Sequence, residues 1–210
     1  LAAARAANVE RFVNASSAAI YGDQGADPVP ESAEPRPRSE YARSKIETER
    51  IVHAERGEVD AISLRYFNVF GPRQRIDSAY AAVIPTFVAA ACEGTNVQLH
   101  GDGLQTRDFV SCRTVVDAVI AACTTEDRFD GIACNIGSGH ARTIASVLQV
   151  IGGLVGTQPD VVHAEARTGD IRHSLADIAR AADRLGLRHE DNFESDVQAV
   201  VDWMRQSAAC

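Results

Sequence analysis

Hydrophobic positions in this chain fall into short unbroken runs separated by longer stretches with helical spacing. A run over 11–16 ends in small residues and predicts a buried strand, and 59–66 predicts a second. Shorter apolar runs at 96–99, 108–111, 133–136 and 161–164 predict further strands. Helical spacing covers 39–56, with Ser39 placed to cap its start and Gly57 following its end. It returns over 81–92, where Pro85 bends the helix or lies in its first turn, and over 115–123 and 144–155. Two amphipathic helices, 177–185 and 194–207, close the chain, and residues 1–8 read as the tail of a helix. Between the first strand and the first long helix, 27–38 is a loop rich in Pro and Glu. Strands alternating with helices predict an α/β fold. The strands lack a polar/apolar alternation, which favours a parallel sheet covered on both faces.

Composition narrows the function classes. With 210 residues, 45% of them hydrophobic and 24% charged, the chain can bury a sizeable core. A net charge of −8 argues against a nucleic-acid or anionic-membrane partner. The five Cys are odd in number, scattered and without a CxxC, so neither a zinc site nor a disulfide framework is indicated, and a reducing cytoplasm is the expected setting. No apolar run approaches the ~20 residues of a membrane span. The first residues lack the features of a signal peptide, and the chain reads as beginning inside a domain.

One position stands out. Lys45 is the only lysine, all twenty other basic residues being Arg, and it lies four residues after Tyr41. Chance alone gives that spacing about 2% of the time with four Tyr in 210 residues. On a helix the two side chains share a face, and a cation beside a phenol favours phenolate, one way of making a general base. The alternative is an exposed helix pair worth a few tenths of a kcal/mol. The GxGxxG signature of a dinucleotide-binding turn does not occur; Gly101-Asp-Gly103 and Gly137-Ser-Gly139 read as ordinary turns.

Three segments carry a resemblance. Ser16-Ser17-Ala-Ala-Ile-Tyr21-Gly22, Tyr41-Ala-Arg-Ser-Lys45 and Arg65-Tyr-Phe-Asn68-Val-Phe-Gly-Pro-Arg73-Gln74 follow the order and spacing of the extended short-chain dehydrogenase/reductase superfamily. Ala81-Ala-Val-Ile-Pro85, Gly101-Asp-Gly-Leu-Gln-Thr-Arg107-Asp-Phe109 and Gly169-Asp-Ile-Arg-His-Ser174-Leu-Ala-Asp177 resemble the nucleotide-sugar 4-epimerases within it, UDP-N-acetylglucosamine and UDP-glucose 4-epimerases above all.

The resemblance implies the C-terminal part of an NAD(P)-binding Rossmann-like parallel sheet plus a smaller substrate-binding α/β domain. Residues 1–72, with a strand near 131–137 and a nearby helix, would belong to the first, and 73–210 mainly to the second. It implies NAD as cofactor, a UDP-sugar as substrate and a homodimer. Tyr41 is then the catalytic base, Lys45 holds the nicotinamide ribose and favours the phenolate, and Ser17 bonds the sugar O4. Phe67 lies beside the nicotinamide through its backbone. Asn68 holds the nucleotide-sugar near its diphosphate, Arg107 and Arg167 contact phosphate, and Asp170 accepts from a ribose hydroxyl. Val83, Gln98, Leu99 and His100 match the nucleoside slot, and Ser174 the position facing the sugar C2 substituent.

Departures accompany the match. Arg75-Ile-Asp77 replaces the family's usual loop, and Cys112-Arg113 stands where acidic or aromatic residues are common. The glycine turn and first βα units of such proteins have no counterpart here, so the 210 residues alone are expected to be inactive. A dehydratase or decarboxylase is the rival enzyme class, but Ala18-Ala19 stands where a dehydratase carries an acid–base pair. A nucleotide-sugar-binding remnant without catalysis is the other reading.

Overall fold

The computed structural model describes residues 1–54, 59–75, 83–166, 170–188 and 190–208. Its first layer is a parallel three-stranded sheet in the order β1-β2-β6, formed by β1 (Arg11–Ser17), β2 (Asp60–Tyr66) and β6 (Ile132–Ile136). Six of the seven β2 residues are buried, which makes it the central strand. Alternation along β2 divides the two faces. Ile62 and Leu64 join Ala118 and Ala122 of α4 (Cys112–Thr124) and Ala181 and Leu185 of α6 (Ala179–Leu185) in one apolar cluster. Arg65 points the other way, onto α2 (Glu40–Ala54). The parallel pairing expected from unalternating apolar strands is present, and the class is mixed α/β as anticipated.

The second layer is built on α3 (Val83–Glu93), α5 (Ile144–Val155) and α7 (Phe193–Ala208), whose apolar faces meet β4 (Val97–His100) in the largest cluster. β4 pairs in parallel with β8 (Val161–Ala164). Phe70, Phe109 and Phe193 form a three-ring contact, with centroids 5.6, 6.1 and 6.4 Å apart. Helix starts are capped by side chains, at Ser39 as expected and at Thr143 besides: Ser39 Oγ accepts from Ala42 N–H at 3.1 Å and Thr143 Oγ1 from Ser146 N–H at 3.0 Å. Pro85 sits in the first turn of α3, where its missing N–H costs nothing. Gly57 and residues 81–82 lie outside the described residues. The opening helix, α1, spans Ala2–Ala6.

Three elements differ from the sequence reading. A 3-10 turn follows β1 over Ala18–Tyr21. β3 (Asn68–Phe70) leaves the first sheet and pairs with β5 (Thr106–Ser111), which begins two residues before the predicted strand. Only Phe67 separates β2 from β3, with no Gly or Pro between them, so the local sequence carries no mark of this change of partner. β7 (Ala141–Thr143) adds a short antiparallel edge to β5, too brief and polar to read from pattern.

Candidate active site

Two groups of residues meet where the two layers join. The first lies at the carboxyl end of β1, the side on which open α/β sheets hold ligands. Lys45, on α2, donates from Nζ to the Ala15 carbonyl at 2.8 Å, two residues before Ser17, and lies 5.6 Å from the centre of the Tyr41 ring. Tyr41 is 55% exposed, so its phenol is open to an incoming molecule. Ser17 ends β1 opposite Tyr66, and its hydroxyl accepts from Ala19 N–H at 3.2 Å, capping the 3-10 turn. That turn buries Tyr21, whose ring stacks 6.3 Å from Phe67. Phe67 is held by its own N–H, which donates to Ile136 at 3.0 Å, and is the residue at which the chain passes from β2 into β3.

The second group lines a cleft of about 630 Å³, within the range of small-molecule sites. Phe67 and Asn68 form the wall nearest the first group. Val83 comes from the first turn of α3, Gln98, Leu99 and His100 from β4, Arg107 from β5 and Asp170 from the segment beyond β8. Eight residues chosen from sequence therefore share one cleft. Ser174 is half-buried and does not line it; Ser17, Tyr41 and Lys45 lie outside it as well. Arg167 lies outside the described residues.

Charge in the cleft is paired. Arg107 donates from Nη2 to Asp170 Oδ1 at 2.6 Å and from Nη1 to its neighbour Thr106's carbonyl at 2.8 Å. Burial pushes the Arg107 guanidinium below its ordinary pKa, and Asp170 and Asp23 oppose that shift. Nearby, Arg172 grips Asp102 with two bonds of 2.8 Å, which hold that carboxyl down to about 2. The segment carrying Asp170 and Arg172 is tied to β5 by Thr106 N–H on the Arg172 carbonyl at 3.0 Å. A planar guanidinium at the floor of such a cleft suits the oxygens of a diphosphate.

Sequence reasoning passed over several residues here. Gln105, Thr86, Phe87, Phe109 and Ile144 also line the cleft; Gln105 and Phe109 lay inside the quoted motif around Arg107. Asp108, fully buried, accepts from Ser138 N–H (2.6 Å) and Oγ (2.8 Å), Gly139 N–H (3.0 Å) and Ala176 N–H (3.1 Å). Gly137-Ser-Gly139 is thus a turn wrapped around a carboxylate of the chain itself. A side chain at Gly137 would meet Asp108 Oδ2 at 2.7 Å. Among the described residues no group of His, Cys, Asp and Glu could hold a metal ion. No described helix is long and apolar enough to cross a membrane.

The phenol, ammonium, hydroxyl and backbone groups around β1 fit the ribose and nicotinamide end of a dinucleotide. No GxGxxG signature of a dinucleotide-binding turn occurs in the 210 residues.

Comparisons with known proteins identify the family and the fold. The model of the NAD dependent epimerase/dehydratase family matches residues 1–137. A dTDP-L-rhamnose 4-epimerase of Burkholderia thailandensis is 31% identical over 175 residues, covering 82% of this chain and 48% of the relative. A UDP-glucose 4-epimerase of Mycolicibacterium smegmatis is 31% identical over 209 residues, covering 98% of this chain and 66% of the relative. Among solved structures, a UDP-N-acetylglucosamine 4-epimerase from Methanobrevibacter ruminantium, in complex with UDP-N-acetylmuramic acid, superposes with a TM-score of 0.92 at 33% identity. It covers 98% of this chain and 66% of that one. The chain spans between about half and two thirds of the length of these relatives.

Proposed function

The chain belongs to the NAD dependent epimerase/dehydratase family, and from that premise we propose that it supplies the proton-transfer and nucleotide-sugar-binding residues of an enzyme that inverts C4 of a UDP-hexose or UDP-N-acetylhexosamine. The observation that supports this reading is the placement of a Tyr41–Lys45 pair against the end of β1, beside a cleft floored by Arg107 and Asp170. NAD, when bound, supplies the acceptor and donor of hydride at sugar C4.

The chain's own groups divide the remaining work. Tyr41 takes the proton from the 4-hydroxyl and returns it, Ser17 bonds that oxygen, and Lys45 binds the nicotinamide ribose. Phe67 flanks the nicotinamide through its backbone. Asn68, Arg107 and Arg167 hold the diphosphate, Asp170 accepts from a ribose hydroxyl, and Val83, Gln98, Leu99 and His100 take the nucleoside. Ser174, small, leaves room for an N-acetyl group at C2. The 4-keto sugar turns over in the cleft before C4 is reduced from its other face. A soluble cytoplasmic homodimer belongs to the same reading. In the domain division proposed with it, residues 1–72 and the strand near 131–137 serve the dinucleotide, and 73–210 mainly the sugar nucleotide.

A second reading has its own support: no glycine-rich dinucleotide turn occurs in the 210 residues, so by themselves they bind nucleotide-sugar without turning it over. Both are tested together. The chain is assayed alone and as a chimera in which the dinucleotide-binding half of a family relative precedes Leu1, each with NAD and UDP-N-acetylglucosamine. Product is read by proton NMR of the anomeric signal. The expected result is UDP-N-acetylgalactosamine from the chimera only. A 4-keto-6-deoxy product places the protein among the dehydratases, and turnover by the chain alone removes the second reading.

A further inference from the structure

A buried polar network lies behind the Tyr41–Lys45 pair, and the proton-transfer scheme does not use it. Tyr41, Lys45 and Glu49 are spaced four residues apart on α2 and share one face. The Glu49 carboxylate receives Arg65 Nε at 3.0 and 3.2 Å and Nη2 at 2.7 Å, and the Ser16 hydroxyl also donates to it. Arg65 Nη1 donates to the Tyr21 hydroxyl at 2.7 Å and to the Glu31 carbonyl at 3.0 Å. Tyr21 in turn donates to Asn135 Oδ1 at 2.6 Å. One guanidinium on β2 therefore grips α2 and the turn that follows Ser17, and reaches β6 through Tyr21.

These groups are deep. Arg65 is 8% exposed and Tyr21 2%, and burial pushes the Tyr21 phenol up to about 12, so it stays neutral and serves as donor and acceptor at once. None of them lines the cleft. A buried ion pair is weak evidence of added stability, because desolvation offsets the attraction; what it does supply is one allowed geometry. Only Arg can supply it here, since two edges of its planar fork are engaged by different partners, which a point ammonium cannot match.

We propose that Glu49 and Arg65 are positioning residues that fix the depth of α2 against the strand ends, and so hold the Lys45 ammonium on the Ala15 carbonyl and beside the Tyr41 ring. The proposal rests on the reading of Tyr41 and Lys45 as the proton-transfer pair, but its test does not depend on turnover.

Lys45 is the only lysine in the chain, so isotope-labelled lysine gives a single side-chain ammonium signal. In Glu49→Gln the ammonium protons are expected to exchange at least tenfold faster than in the unsubstituted chain, while circular dichroism and the cooperative melt show a folded protein. Arg65→Lys is expected to do the same, since it keeps the charge and loses the fork. Arg50→Gln breaks the exposed 2.9 Å Arg50–Glu47 pair on the same helix and should leave the signal where it was. If Glu49→Gln does not fold, Tyr21→Phe removes only one hydroxyl and is expected to speed exchange about threefold or more. An unmoved Lys45 signal in a folded Glu49→Gln or Tyr21→Phe chain overturns the proposal, and so does an equal acceleration in Arg50→Gln. Failure of the epimerase reading appears elsewhere, as a chimera without turnover, and leaves the Lys45 measurement standing.

Discussion

Arg107→Ala is expected to weaken binding of UDP by about 10- to 150-fold. Its guanidinium is half of a 2.6 Å pair with Asp170 at the cleft floor, and the two side chains are 14% and 37% exposed. A charge-assisted hydrogen bond in such a setting contributes about 1.5–3 kcal/mol, which gives that range of affinity. The pair complicates attribution, because the alanine also strands Asp170. Isothermal titration of UDP into four chains separates the effects: unsubstituted, Arg107→Ala, Asp170→Asn and the double variant. Asp170→Asn alone should move the affinity by less than about tenfold, because it releases Arg107 for phosphate and removes an acceptor for ribose at once. If Arg107 meets the diphosphate directly, its replacement still costs affinity without the Asp170 carboxylate, and at least as much as with it. A loss that vanishes in the Asp170→Asn background would mean that Arg107 serves only as a counter-ion. A dissociation constant within twofold of the unsubstituted chain in a normally melting Arg107→Ala protein would refute the assignment altogether.

Three further outcomes are expected. In the chimera, Tyr41→Phe should lower kcat by roughly 10²–10⁴ with little change in KM, since the phenol acts mainly in the transition state; near-normal kcat removes Tyr41 as the base. Ser174→Tyr should lower the kcat/KM ratio of UDP-N-acetylglucosamine to UDP-glucose at least about fivefold, since overpacking costs on the order of 1–3 kcal/mol or more, and an unchanged ratio puts the gate elsewhere. Asp60 gives a pH test of stability. Burial alone would push its carboxyl up, but the N–H groups of Asp130 and Phe129 and the Arg11 guanidinium outweigh burial and hold it below its usual value. A depressed carboxyl contributes stability above its unfolded pKa of about 3.9 and loses it as pH falls through the lower folded value. Melting temperature should therefore fall more steeply below about pH 4 in the unsubstituted chain than in Asp60→Asn, and parallel curves would show that Asp60 carries no such linkage.

Much of the fold could be read from the chain because local chemistry and burial agreed. The strand around Ile62 and Leu64 is buried on both faces because α2 covers one side of β2 and α4 and α6 the other. Ser39 could be read as a helix start because its side chain does there what the backbone cannot. β3 was invisible for the opposite reason. Only Phe67 separates it from β2, and its pairing with Phe109–Ser111 alone shows that the chain has changed sheets. β7 owes its existence to β5, and a three-residue edge has no period of its own.

The two layers of the site differ in the same way. Asn68, Arg107 and Asp170 could be picked out because they stand in ordered motifs, although nothing local to any one of them says that they share a cleft. Glu49 looked like one acid among several on a helix that also carries Glu40 and Glu47, both paired to Arg three residues on. The usable signal lay on the partner. Arg65 is a charge in an otherwise buried strand, and a buried charge must find a counter-ion and further acceptors. The sequence shows that this need exists but not who meets it, because Glu49, Tyr21 and Glu31 come from three separate segments. The lone lysine is the counterpart of this argument. At Arg65 the fold needs a fork that binds several groups at once, and at position 45 it needs a compact ammonium that reaches one carbonyl at 2.8 Å while staying beside a phenol ring. A chain that uses Arg in all twenty other Lys/Arg positions departs from that habit at this one.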